Sequence, residues 1–141
     1  METYKSGKYL TFRVARQDFA MSADLVRGIL PLHEMTAVEV SHPWLCGFAA
    51  VGGHDFPVVD LRAKLGIAHG SRGREPLIVA VEIQRHLAGF IADRVSEVLE
   101  LRQMDFRSGA VRGHGRPRRL LYPDQIMTEA DWSNLWVKPI L

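Results

Sequence analysis

The chain has 141 residues but a single cysteine, Cys46, which excludes an internal disulfide framework and any cysteine-rich zinc site. Its flank, Trp44-Leu45-Cys46-Gly47-Phe48, is apolar, so the thiol is expected to be buried and inert. Long hydrophobic runs are also missing. A stretch such as Leu77 to Val81 is far too short to span a bilayer, and Met1 to Lys8 is polar, without the apolar core of a signal segment. A soluble, cytoplasmic protein without direct membrane insertion is expected. The six histidines stand singly, with no His-x-x-x-His pair, so no metal site is expected. There is no Gly-x-Ser-x-Gly elbow, phosphate loop or dinucleotide fingerprint. Asp18, Asp55, Asp93 and Glu97 read as caps and exposed positions. Catalysis is disfavoured, no cofactor is expected, and binding is the default function.

What is present is an ordinary globular composition, 47% apolar and 24% charged, with net charge +2. The charge is uneven: Phe106 to Arg119 holds five arginines (Arg107, Arg112, Arg116, Arg118 and Arg119) and no acid. A solvated loop is the simplest account. The alternative is a basic patch on a small barrel that meets nucleic acid or an acidic protein surface. Only Phe106 and Tyr122 could supply stacking rings, so DNA is not an expected partner.

Strand-like alternation opens the chain at Lys8 to Val14, with Leu10, Phe12 and Val14 on one face. Gln17-Asp18 reads as a turn and Phe19 to Met21 as the returning strand. Ser22 can cap a helix through Leu30 whose apolar positions are Leu25, Val26, Ile29 and Leu30, stopped by Pro31. Met35 to Val40 reads as extended, broken at His42-Pro43.

Two glycines, Gly52-Gly53, separate the apolar runs Leu45 to Val51 and His54 to Val59. A phosphate-cradling loop would need a helix directly after them; a strand follows instead. Gly-Gly suits a two-residue type I′ hairpin turn, whose central positions both need positive φ. Pro57 suggests an edge strand or a bulge. Asp60 then caps the short helix Leu61 to Leu65, closed by Gly66.

Ala68 to Glu75 is a loop, and a subdomain division is expected near 66–75 within a single domain, 1–141. Leu77 to Ile83 and His86 to Ala92 form a further strand pair, with a turn at Gln84-Arg85 expected to be wider than two residues. Gly89 suggests close backbone packing or a bulge. Val95 to Leu101 continues extended with a bend at Ser96. Arg119 to Tyr122 is a last strand, and Pro123 to Met127 and Glu129 to Trp136 read as helical. The place of 128–141 is open: Trp132 and Trp136 dock on the chain's own barrel or on a partner. Together these features describe a mostly β chain of small barrels.

Several of these segments resemble the CheW-like domain of bacterial chemosensory adaptors. They are Tyr9-Leu10-Thr11-Phe12, Leu25-Val26-Arg27-Gly28-Ile29-Leu30, Pro43-Trp44-Leu45-Cys46-Gly47, Pro57-Val58-Val59-Asp60-Leu61-Arg62 and Gly89 through Leu99. The stretch from Leu30-Pro31 to Trp44-Leu45 most resembles the PilI-like branch serving type IV pili. The resemblance implies two small SH3-like β-barrel subdomains with short helices, sharing a core that includes Phe12, Val58, Val79 and Phe90. It implies a scaffold without enzymatic activity or cofactor. The partners it implies are the regulatory domain of a CheA-type histidine kinase and the cytoplasmic tip of chemoreceptors. Val26, on the first helix, and Val98, near the inter-barrel groove, match partner-contact positions. Two departures fall at the same kind of position. Gly52, in the Gly52-Gly53 turn, stands where the family usually has arginine, and Gly28 stands where it commonly has an acid, so Gly28, Gly52 and Gly53 complete the implied partner-binding set. These losses also fit an inactive or competing family member that binds a single partner.

Overall fold

A computed structural model describes residues 5–39, 42–67, 72–112 and 114–135. The mostly β chain forms two six-stranded sheets. Strands β1 (Gly7–Val14) and β2 (Gln17–Ser22) pair in the first sheet with β9 (Arg94–Leu101), β10 (Phe106–Arg107), β11 (Ala110–Val111) and β12 (Arg118–Leu120), in the order β10-β11-β12-β2-β1-β9. The second sheet holds β3 (Val26–Pro31), β4 (Thr36–Ala37), β5 (Leu45–Val51), β6 (His54–Val59), β7 (Leu77–Ile83) and β8 (His86–Ala92), in the order β3-β7-β8-β6-β5-β4. Residues 66–75 therefore mark no sheet boundary, because β3 to β8 on both sides of them share one sheet. The first sheet is built from the two ends of the chain.

Each sheet curls on itself. In the second, β3 and β5 are separated by three strands, yet a Cβ placed at Gly28 would lie 3.0 Å from Val51 Cγ2. In the first, Tyr9 of β1 meets Phe106 of β10 edge to face, ring centroids 5.4 Å apart. The core between the sheets joins Phe12 and Phe19 of one to Val59, Val79 and Phe90 of the other. Val58 is not part of it. Successive strand residues face opposite ways, so Val59 enters the shared core while Val58 points into the second sheet's own interior with Phe56 and Ile78.

Local chemistry explains the connections. Gly52 and Gly53 have φ of +57° and +80°, and Val51 opposes His54 across them, which is the expected two-residue turn. Gln84 and Arg85 also make a two-residue turn, with φ of +48° and +73°, rather than the wider one expected. The Ile83–His86 register of a long, well-buried hairpin imposes positive φ on side chains that ordinarily avoid it. The first turn lies at Ala15-Arg16, two residues before Gln17-Asp18, which belong to β2. Pro57 lies in an interior strand, not an edge. It is tolerated because the parallel ladder to β8 begins only at Val58.

The expected first helix is corrected. Ser22 does accept a hydrogen bond from Asp24 N, but the helix is a single 3₁₀ turn, Ala23–Leu25. Val26 to Pro31 is then drawn into β3 by antiparallel pairing with β7. The bend at Ser96 is a bulge: Leu10 opposes Val98 and Phe12 opposes Val95, leaving two residues against Thr11. The buried Thr11 hydroxyl completes it, donating to Glu97 O at 2.8 Å and accepting from Glu97 N at 3.1 Å.

Three short helices complete the described fold: α1 (Leu61–Leu65) between β6 and β7, and α2 (Pro123–Ile126) and α3 (Glu129–Leu135) after β12. Asp60 caps α1 by accepting from Arg62 N at 2.9 Å, and Gly66 ends it at φ +68°. Trp132 of α3 docks on the chain's own core, stacked on His86 with centroids 4.4 Å apart. Lys64 of α1 donates to Asp131 at 2.6 Å and holds α3 from the other side. Trp136 and residues 68–71 lie outside the described residues.

Candidate interaction surface

Of the five positions implied as partner-binding, Gly28 is brought to the Gly52-Gly53 hairpin, while Val26 and Val98 lie on edge strands of different sheets. Val26 opens β3 and packs partly against the inter-sheet core. Val98 lies on β9, directly opposite buried Leu10 of that same core, and is 53% exposed. Both strands are sheet edges. Edge strands carry unpaired backbone groups, and here the apolar face of the core runs out to solvent along them. Ile29 of β3, 43% exposed, adds to it. Gly28 and the Gly52-Gly53 turn are joined through Val51. Gly28 is a strand residue, so its cost to a helix does not apply. Its missing Cβ lets Val51 approach and helps curl the sheet.

The exposed turn offers no side chain at either glycine, and nothing stands within 4 Å of a Cβ built there. Space for an arginine exists, but in a backbone conformation that L-residues rarely adopt.

Two features were not legible beforehand. Asp93, expected to be an exposed turn acid, is instead a half-buried anchor. It pairs with the buried Arg62 of α1 at 3.0 Å and accepts from Ala15 N at 2.6 Å. Ala15 itself has φ +56°, a strain that the charged acceptor offsets. The Asp93-x-Val95 signature was visible, but its partner lies 31 residues away. The second feature is that the arginine-rich segment is not simply a solvated loop. Arg107, Ala110 and Arg119 align across β10, β11 and β12, so both exposed guanidinium groups leave the same face of the sheet.

Nucleophilic chemistry has no seat at Cys46. It is half-buried, and burial pushes its thiol above the ordinary value despite Arg72 nearby, which leaves the unreactive protonated form at neutral pH. Among the described residues no group of three His, Cys, Asp or Glu side chains could hold a metal ion. No helix among them is long and apolar enough to cross a membrane.

Two curled sheets sharing a core, with Ile29 and Val98 exposed on their edge strands, define a small β-module. The chain belongs to the CheW-like domain family, whose profile matches residues 8–123. It is 28% identical over 90 residues to a probable chemotaxis protein CheW of Rhizobium etli, covering 64% of this chain and 58% of that protein. It is 26% identical over 101 residues to the chemotaxis protein CheW of Bacillus subtilis, covering 72% of this chain and 65% of the relative. The chain thus spans less than two thirds of the length of these curated relatives. The scaffolding protein TtCheW of Thermoanaerobacter tengcongensis has the same fold, with a TM-score of 0.77 at 18% identity over 92% of this chain and 93% of that one. Two SH3-like subdomains are the shared architecture.

Proposed function

We propose that this chain is a non-catalytic cytoplasmic scaffold of a chemosensory system. It couples the cytoplasmic tip of chemoreceptors to the regulatory domain of a CheA-type histidine kinase. The family match over residues 8–123 carries this reading, and the chemotaxis proteins among the relatives support it. Val26 and Val98, at the rim of the inter-sheet core, are the proposed apolar contacts, with Gly28, Gly52 and Gly53 forming a second contact region at the hairpin. Transient signalling interfaces are small, so micromolar affinity is expected.

Isothermal titration of the chain against a kinase regulatory domain and, separately, against a receptor-tip fragment tests the proposal. Binding of both supports coupling, and absence of heat with both at high concentration removes it. The side-chain-free turn at Gly52-Gly53 favours one second reading, a competing family member that engages a single partner. Binding of one fragment only would establish that reading instead.

A further inference from the structure

A cleft of about 690 Å³ opens beside the corner between β8 and β9, and none of Val26, Gly28, Gly52, Gly53 or Val98 lines it. Four arginines do: Arg13, Arg72, Arg74 and Arg94. Two are engaged, Arg13 with Asp18 at 3.2 Å and Arg72 with Asp60 at 3.6 Å. Arg74 and Arg94 are exposed and make no ion pair among the described residues. Of the two acids in the lining, Asp93 is taken up by Arg62 and Ala15 N, which leaves Glu75. The sequence from Gly66 to Arg74 contributes no other acid, so the cleft is a concave, electropositive site.

Its wall is held in place. A Cβ at Gly73 would stand 2.5 Å from Asp93 O, so this backbone approach needs glycine, and Gly73 N points at Asp93 Oδ1 at 3.4 Å. Half-buried Leu77 and Val95 supply aliphatic surface. Among the described residues no aromatic ring lines the cleft, so a nucleic-acid base would find no stacking platform on them. Acidic side chains fit better, because guanidinium forks match carboxylates while the methylenes of glutamate can cover Leu77 and Val95. We propose that this cleft captures an acidic segment of a partner protein, with two of its carboxylates pairing with Arg74 and Arg94. Assigning that segment to a kinase or a receptor rests on the scaffold reading; its acidic chemistry does not.

The test uses the full chain and a fluorescein-labelled hexaglutamate peptide followed by anisotropy. The variant Arg74→Glu/Arg94→Glu is compared with Arg107→Glu/Arg119→Glu, which makes the same charge change on the β10–β12 face. The cleft variant is expected to lose about ten-fold in affinity and the control less than about two-fold, with wild-type binding weakening as salt rises. Circular dichroism melts verify that both variants fold. No capture by the wild type, equal losses in both variants, or full retention in the cleft variant would each overturn the proposal. So would displacement of the peptide by inorganic phosphate at equal charge concentration, since that marks a site for small anions. Capture of hexaglutamate by a chain that binds neither kinase nor receptor fragment would uphold the cleft while removing the scaffold assignment.

Discussion

Buried Arg62 and half-buried Asp93 form an ion pair, Nη2 to Oδ1 at 3.0 Å, that ties helix α1 of one subdomain to the strand corner leading into the other. Their side chains are 5% and 10% exposed. Removing one partner leaves the other charge desolvated and unpaired, which costs about 3–5 kcal/mol. Asp93→Ala also deprives Ala15 N of its acceptor. Urea unfolding should therefore show Arg62→Ala and Asp93→Ala strongly destabilised, and the double variant less so than the sum of the two. Additive losses would show that the pair is not coupled.

Gly89 faces Ile78 and Phe56 across the second sheet's interior. A Cβ there would lie 2.6 Å from Ile78 Cγ2 and 2.7 Å from Phe56 Cε1. Gly89→Ala is expected to overpack that interior by about 1–3 kcal/mol, visible as a lower melting temperature. The same change at Gly115, with nothing within 4 Å but φ of +81°, should cost only the backbone strain of about 1 kcal/mol.

Gly52→Arg tests whether the missing arginine limits partner binding. The turn's φ of +57° makes an L-residue there cost about 1–2 kcal/mol of stability. A hydrogen bond from the new guanidinium to a partner carboxylate contributes about 1.5–3 kcal/mol. Affinity for the kinase regulatory domain should rise while the melting temperature falls. A lower melting temperature with unchanged affinity would place the proposed kinase contact away from this turn.

His86 sets a pH dependence. Burial against Trp132, with the positive charge of Arg85 nearby, holds its pKa below the ordinary 6.5. The other charged group facing this pocket is Glu129 of α3. A folded-state pKa below the unfolded one means that the unfolded chain takes up the proton first. The contribution to stability is therefore complete above the unfolded value and is lost as pH falls from there through the folded value. Melting temperatures of the wild type should fall more between about pH 7.5 and 5 than those of His86→Phe, which keeps an aromatic partner for Trp132. Parallel curves would assign the acid sensitivity to other groups.

Features set by neighbouring residues were legible in the sequence alone. The alternation of Leu10, Phe12 and Val14, the Gly52-Gly53 turn and the Asp60 cap with Gly66 each follow from backbone sterics and hydrogen bonding within a few positions. The set Val26, Gly28, Gly52, Gly53 and Val98 came only as a match to a family pattern, and its role in partner contact is a proposal. What that set lines was decided in three dimensions. Leu25, Val26, Ile29 and Leu30 fit one face of a helix as well as they fit a short strand, and the choice fell to β7, whose backbone needed an antiparallel partner. Val58 and Val59 are alike in type and face opposite ways along β6, and which of the two faces meets the shared core was decided by how the sheets pack. Arg62 finds Asp93, and Arg13 and Arg94 come to line one cleft with Arg72 and Arg74, because packing joins segments far apart in the chain. Local pattern carries turns, caps and strand periods; it holds no record of which distant charge a buried charge will meet, since that is settled by the cost of leaving it unpaired when the two sheets close.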